Sequence, residues 1–445
     1  MSNDMTGPGT GRGVLSSLGD RMMGRASGSH AKVSKKSGPL DGLFLSQLIP
    51  ALLLVLAGTI TIWTASLTIA DANFPRHLVG VALGLVVAML IWRYDYRSLA
   101  GMTTVLFVIT CFLMVMPKIP GLGVSSHGMT GWVKLPLVPV RFQPVELGKV
   151  AAIFLMASAS AQYNGKIERF SDYCRLCGTL LVPLALIVIT DLGSGLVVLF
   201  LGATIIICSG APRKWVLATI ALIVGVSALV VITSMTDGLP HVLKDYQLKR
   251  LLVFADPSID PSGDGYNLQQ AKIAIGSGGF FGKGLGNATQ AGNGFLPEAH
   301  TDFVFALYAE QFGFVGCVVL LGLFAWMIFA TILLAMRIDA PFGKLVLVGC
   351  AALWTFQVLE NVGMCIGIMP ITGIPLPFIS FGSSSMLTQL ICVGIVQSVW
   401  RHRQKAASGG SSWQPRRTAA PRLALATCWR CSPRGGTLGP TPTSR

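Results

Sequence analysis

The sequence predicts an all-α, polytopic membrane protein of about ten transmembrane helices, with a large extracytoplasmic loop between helices 7 and 8. Three observations predict it. Of 445 residues, 52% are hydrophobic and only 12% are charged, with a mean hydropathy of +0.65, whereas soluble domains carry about a quarter charged residues. Apolar runs recur along most of the chain. The Lys and Arg residues between them fall in alternate connections, as cytoplasmic loops require.

Residues 1–40 are rich in Gly, Ser, Lys and Arg without apolar periodicity and read as a disordered, basic cytoplasmic tail. The first apolar run begins near Leu43, too deep for a cleavable signal peptide and long enough to span. The ten runs lie at 43–67, 77–92, 98–116, 147–162, 176–190, 195–211, 215–234, 303–336, 345–369 and 384–400. An even number returns the chain to its starting side. Residues 41–405 thus form one membrane domain, and residues 406–445, rich in Pro, Ser and Arg, read as a second disordered basic tail.

Arg93 and Arg97, then Lys166, Arg169 and Arg175, then Arg213 and Lys214, then Arg337 and Lys344 occupy every second connection and join the tails on one side. The opposite short connections, Asp191 to Gly195 and Pro370 to Ser383, hold no Lys or Arg. Both ends are therefore expected in the cytoplasm. The net charge of +15 does not argue for nucleic acid: six cations sit between Arg12 and Lys36 and nine between Arg401 and Arg445, where anionic lipid would attract them. Among ten cysteines, Cys111, Cys208, Cys317, Cys350, Cys365 and Cys392 fall in apolar runs as small core hydrophobes. The pairs Cys174/Cys177 and Cys428/Cys431 lack histidine partners and zinc-ribbon spacing, so no metal site is expected from them.

Two outer connections exceed simple turns, Pro117 to Val145 and Thr233 to Thr301. In the longer one, Asp245, Lys249 and Arg250 stand beside Leu248, Leu251 and Phe254, an amphipathic stretch expected to lie along the membrane surface.

Ionisable groups at span edges on this outer side are the candidates for chemistry, because charge at membrane depth is costly. Glu146 and Lys149 open the fourth span, Asp191 closes the fifth, Asp302 and Glu310 open the eighth, and Glu360 lies in the ninth. Glu146 and Lys149 are three apart and share a helix face, so an internal ion pair competes with a site role. The stretch Gly276 to Gly286, which includes Lys283, could bring backbone N–H groups to an anion; it could equally permit close packing. In Pro297 to Phe303, Asp302 stands where a polar loop meets an apolar helix. Partial burial there would raise its pKa and suit it to general-base work, whereas a helix N-terminal role needs no chemistry.

Four separated blocks in fixed order carry a resemblance. The first runs from Gly131-Trp-Val-Lys-Leu to Phe142-Gln-Pro-Val-Glu146-Leu-Gly-Lys149, and the second is Asp191-Leu-Gly-Ser-Gly195. The third runs from Arg250 through Asp256-Pro-Ser-Ile-Asp-Pro-Ser-Gly-Asp-Gly-Tyr-Asn267 to Leu296-Pro-Glu-Ala-His-Thr-Asp302-Phe, and the fourth from Pro370 to Ser385. Over residues 43–403 the chain resembles the SEDS family of peptidoglycan glycosyltransferases, the RodA and FtsW proteins. The third block points to the RodA branch, while Leu285-Gly-Asn and Leu-Pro-Glu-Ala-His lean toward FtsW. The chain departs from the family pattern at Gly131, Val145, Ile189-Thr190 and Ser383, leaving the carboxylates and Lys149 in place.

The resemblance implies a peptidoglycan glycosyltransferase that polymerises lipid II during cell elongation and sets rod shape, in a bacterial inner membrane. It implies Asp302 as catalytic base and Glu146, Lys149, Asp191, Lys283, Glu298, His300 and Arg250 as substrate-binding residues. Lys149, Lys283 and Arg250 would face the charge on the leaving pyrophosphate. No cofactor is certain, although a divalent cation, Mg2+ or Mn2+, commonly serves such a leaving group. The implied partners are lipid II, a class B penicillin-binding protein acting as transpeptidase, the elongation machinery and the membrane. An FtsW-like division enzyme, a flippase for the lipid-linked precursor and a scaffold for the transpeptidase are the alternatives.

Overall fold

The computed structural model describes residues 42–408 apart from 70, 121, 127–128, 135–140, 189–190, 237–249, 251 and 255. A helix stands at each of the ten predicted runs. In chain order these are α1 (Leu45–Ser66), α2 (Phe74–Arg93), α3 (Thr103–Val115), α4 (Pro144–Ala161), α5 (Phe170–Val188), α6 (Leu192–Cys208) and α7 (Arg213–Met235). After α8 (Asp264–Ser277), which lies within the long connection, come α9 (Val304–Met336), α10 (Pro341–Ile366) and α11 (Ser383–Ser408). Seven of them, α1, α2, α4, α5, α7, α9 and α10, are long and apolar enough to cross a membrane, and α3 and α6 are shorter apolar helices. α11 is more polar, with Gln389, Gln397 and Ser398 buried along it and Arg401 and Arg403 near its end. The molecule is a polytopic helical membrane protein.

Local chemistry places the helix ends. The Asn73 side chain accepts the Arg76 N–H at 3.0 Å and caps α2, and Asp191 accepts the Ser194 N–H at 3.1 Å and caps α6. Pro144 and Pro341 open α4 and α10, where a missing N–H costs nothing. Gly367, at φ 81°, closes α10 in the left-handed conformation.

The α4 and α10 helices form the centre, with Ile153, Leu155, Leu353 and Trp354 fully buried. By contrast, α7 exposes its apolar length and is held near its start, where the Tyr173 and Thr219 hydroxyls lie 2.7 Å apart and Trp215 packs on Phe170 and Tyr173.

The basic connections gather at one end of the bundle. There Gln397 bonds both the N–H and the carbonyl of Phe44, the Ser398 hydroxyl donates to the Tyr94 carbonyl at 2.6 Å, and Arg97 donates to the His402 carbonyl. Tyr96 stacks on Phe342, and Gly210 packs directly against the Gly165 carbonyl, which brings the remaining basic turns to the same end. The long connections and the candidate carboxylates occupy the opposite end.

The first long connection folds into an antiparallel sheet that the sequence patterns did not announce: β1 (Gly123–Ser126), β2 (Met129–Lys134) and β3 (Arg141–Phe142), with Val124 opposite Trp132 and Val133 opposite Phe142. Its strands are too short for a period to show. Most of the amphipathic stretch from Asp245 to Phe254, the Ile189-Thr190 departure, Cys428/Cys431 and the tail residues 1–40 lie outside the described residues, as does the second tail beyond Ser408. Chain contacts separate Met1–Gln404 from Lys405–Arg445.

Candidate active site

Asp302 lies immediately before α9 in a turn built on Glu298. The Glu298 carbonyl accepts the N–H groups of Thr301, Asp302 and Phe303 at 3.1–3.2 Å, and Glu298 itself adopts φ 54°. Three consecutive carbonyls are then clamped from outside the turn. His300 accepts the Phe381 N–H at 2.8 Å, Thr301 accepts the Ser380 hydroxyl at 2.6 Å, and Asp302 accepts the Asn361 amide at 2.8 Å. Asn361 also donates to the Ile374 carbonyl at 2.8 Å, so α10 and the α10–α11 connection together fix the backbone beneath Asp302. Phe303 is the N-cap residue of α9 and makes no side-chain capping bond, so Asp302 stands one residue before the cap.

The Asp302 carboxyl is half-buried, and burial pushes its pKa up to about 6. The nearby Glu298 raises it further, Arg250 opposes, and Asp191 and Asp264 add smaller upward pushes. Asp302, Glu298, Asp191, Arg250 and Asp264 therefore share one electrostatic neighbourhood. Arg250 pairs with Asp264 at 3.3 Å. Gly193 packs on the Thr372 carbonyl and brings the Asp191-capped start of α6 to the connection that carries Gly373. His300 is buried against Phe381, ring centroids 5.5 Å apart, and burial lowers its pKa from the ordinary imidazole value, opposed by Glu298.

Other predicted residues are engaged in pairs of their own. Lys149 donates to Glu146 at 2.6 Å, with both residues about 1% exposed, so the internal ion pair exists and lies deep in the bundle. Lys283 donates to Glu310 at 2.6 Å and to the Thr289 hydroxyl at 2.7 Å. Glu310 is fully buried and also accepts the N–H groups of Thr289 and Gln290. Thr372 donates to Glu360 at 2.9 Å.

The glycine-rich stretch resolves in favour of packing. Gly313 breaks α9 with φ 66°, which exposes main-chain carbonyls that a continuous helix would satisfy. The N–H groups of Lys283 and Gly284 donate to the carbonyls of Glu310 and Gln311, and those of Phe314 and Val315 donate back to Gly279 and Phe280. Gly279, Gly282, Gly284 and Gly286 all have positive φ. The N–H groups of Lys283 and Gly284 are thus spent on the break in α9 and are not presented to an anion.

Sequence reading missed Asn361, Ser380, Gly373 and Asp264. Asn361 beside Glu360 in an apolar run was a legible signal, as was Ser380 within the fourth block. Among the described residues, no group of three or more His, Cys, Asp or Glu gathers to hold a metal ion, and every described cysteine is a free thiol.

Residues 45–405 match the family model FtsW/RodA/SpoVE, described as cell cycle protein. The chain is 34% identical over 360 residues to peptidoglycan glycosyltransferase MrdB of Escherichia coli K12, covering 81% of this chain and 94% of that one. It is 29% identical to a probable peptidoglycan glycosyltransferase FtsW of Geobacter sp. strain M18, covering 83% and 99%. Among solved structures, a chain from work on structural coordination of polymerization and crosslinking by a peptidoglycan synthase complex superimposes with a TM-score of 0.68 at 29% identity, covering 81% and 98%. Thermus thermophilus rod shape determining protein RodA superimposes with a TM-score of 0.59 at 27% identity, covering 81% and 97%. The chain belongs to the FtsW/RodA/SpoVE family, whose RodA and FtsW members its four sequence blocks resemble.

Proposed function

We propose that this chain is a peptidoglycan glycosyltransferase of the RodA type that polymerises lipid II into glycan strands during cell elongation, with Asp302 as its general base. The enzyme class follows its relatives, and the 34% identity to MrdB against 29% to the Geobacter FtsW favours the elongation branch. The observation that carries the mechanism is Asp302 itself: a carboxyl with a pKa of about 6, on a backbone clamped at three successive carbonyls. Such a group is mostly ionised at pH 7 yet basic enough to take a proton in the transition state.

The 4-hydroxyl oxygen of the acceptor disaccharide attacks the anomeric carbon of the donor. The new C–O bond forms as the bond from that carbon to the lipid pyrophosphate breaks, the hydroxyl proton passes to Asp302, and the pyrophosphate leaves with the bonding pair. One displacement inverts the α-linked donor to a β-linked product. Arg250, already in the electrostatic field of Asp302, would meet charge on the leaving group. Lys149 and Lys283 are each paired with a buried carboxylate, and their remaining N–H donors would meet a pyrophosphate. Glu146 would orient Lys149, and Asp191, Glu298 and His300 would line the sugar path. A Mg2+ or Mn2+ ion would arrive with the pyrophosphate, since such ions usually bind through one or two carboxylates plus substrate phosphates.

The proposed setting is the bacterial inner membrane with both termini cytoplasmic. Residues 41–405 form the transferase domain, basic tails 1–40 and 406–445 flank it, and a class B penicillin-binding protein is the crosslinking partner within the elongation machinery. The convergence of the basic connections on one end supports the orientation. The deciding experiment incubates purified protein with lipid II in detergent. Glycan polymer from the parent, absent with Asp302→Asn, is the expected result; a flippase or a scaffold gives no polymer in either case, because neither forms a glycosidic bond.

A further inference from the structure

At the basic end of the bundle, far from Asp302 in the fold, a cleft of about 380 Å³ opens between α3, α4 and α5. Its polar lining comes from Gln162, Tyr163, Arg175 and Thr179, and its apolar lining includes Phe107 and Leu176. The Arg175 side chain is 72% exposed; Asp172 approaches its guanidinium only to 3.8 Å, and Arg175 interacts with the Tyr163 hydroxyl. Gly178 stands on the wall with no atom within 4 Å of the place a Cβ would occupy, so the space beside it is open. None of these groups takes part in the chemistry proposed above.

We propose that this cleft binds the headgroup of an anionic phospholipid, with the phosphate on Arg175 and Tyr163 and the first acyl methylenes against Phe107 and Leu176. The volume falls in the range of small-molecule sites. A guanidinium and a phenol hydroxyl, both donors, at the mouth of an apolar floor match a phosphodiester joined to hydrocarbon. Lys166 and Arg169 stand in the same connection, so the surrounding field also favours an anion. Assignment to the cytoplasmic leaflet rests on the orientation proposed above; the binding itself does not.

The test uses full-length protein in neutral detergent, with native mass spectrometry counting retained lipid. Phosphatidylglycerol and phosphatidylcholine of identical acyl chains are compared, with glycerol phosphate as the source lacking a tail. The parent should retain one phosphatidylglycerol about tenfold more strongly than phosphatidylcholine, and glycerol phosphate should not compete. Arg175→Gln should abolish the preference between headgroups. Gly178→Leu, which fills the cleft and raises helix propensity, should displace the lipid altogether while the protein elutes as the parent does. Equal retention of the two lipids by the parent, unchanged retention in Gly178→Leu, or full competition by glycerol phosphate would each overturn the proposal. Polymerisation of lipid II is read separately, so failure of the transferase reading leaves this result intact.

Discussion

The Asp302 carboxylate lies against Gly373: a Cβ built at Gly373 would stand 3.2 Å from Asp302 Oδ2. Gly373 also has φ 70°, which side chains rarely tolerate. The α10–α11 connection therefore approaches the carboxylate with bare backbone.

Asp302→Asn keeps the shape and removes the proton acceptor. Polymerisation should fall by about 100-fold or more while expression and melting temperature stay near the parent's, because Asp302 does not cap α9. Near-parental polymer yield would move the base to Glu298 or Asp191.

The pH profile follows from the same group. With a pKa of about 6, Asp302 is mostly protonated below that value, so polymerisation should rise with pH through about 6 and level off above it. Glu298→Gln removes a like charge and should move this limb to lower pH; Arg250→Gln removes the opposing charge and should move it higher. The stability sign is also set. The folded pKa lies above the ordinary 3.8, so protonation favours the folded state, and that contribution is lost as pH rises through about 6.

Lys149→Ala leaves the Glu146 carboxylate buried without its cation, a change that costs about 3–5 kcal/mol in buried pairs. Thermal melting should fall accordingly, and the double variant Glu146→Gln/Lys149→Met should recover most of it. If the double variant also recovers polymerisation, the pair is structural; stable but inactive protein places Lys149 or Glu146 in substrate binding.

Gly282→Ala would put a Cβ on the Gln311 carbonyl, in a backbone at φ 83°. It should part the glycine-rich segment from the break in α9 and lower the melting temperature more than Gly279→Ala does. At Gly279 the space is open, and only the left-handed strain of about 1–2 kcal/mol applies.

Cysteine reporters at Ser262 and Gly123 should react from outside intact cells, and one at Ser171 only after permeabilisation. Outside labelling at Ser171 would reverse the orientation.

All ten helical runs, their basic turns and the Asp302 segment were legible in the sequence because each is a local matter. Hydropathy over about 20 residues selects a spanning helix, Lys and Arg mark the turns, and a carboxylate beside an apolar run is visible as such. The three-stranded sheet was not legible, because its strands are held by pairing across the chain, Val133 with Phe142, and carry no period of their own. The glycine-rich stretch was ambiguous for the same reason: its function as a splint depends on Gly313, some thirty residues away.

By itself the sequence determined the fold class, the number of helical runs and which residues could do chemistry, since these depend on side-chain type and spacing. The tertiary structure alone decided how they are used. It turned Lys149 and Lys283 into partners of buried carboxylates and brought Asp191, Glu298, Arg250 and Asp264 into the field of Asp302. It also clamped the carbonyls of His300, Thr301 and Asp302 with Phe381, Ser380 and Asn361. A pKa and an ion pair are set by what lies within a few ångströms: Glu146 and Glu298 are near their partners in the chain, but Glu310, Asp191, Arg250 and Asp264 are distant from theirs.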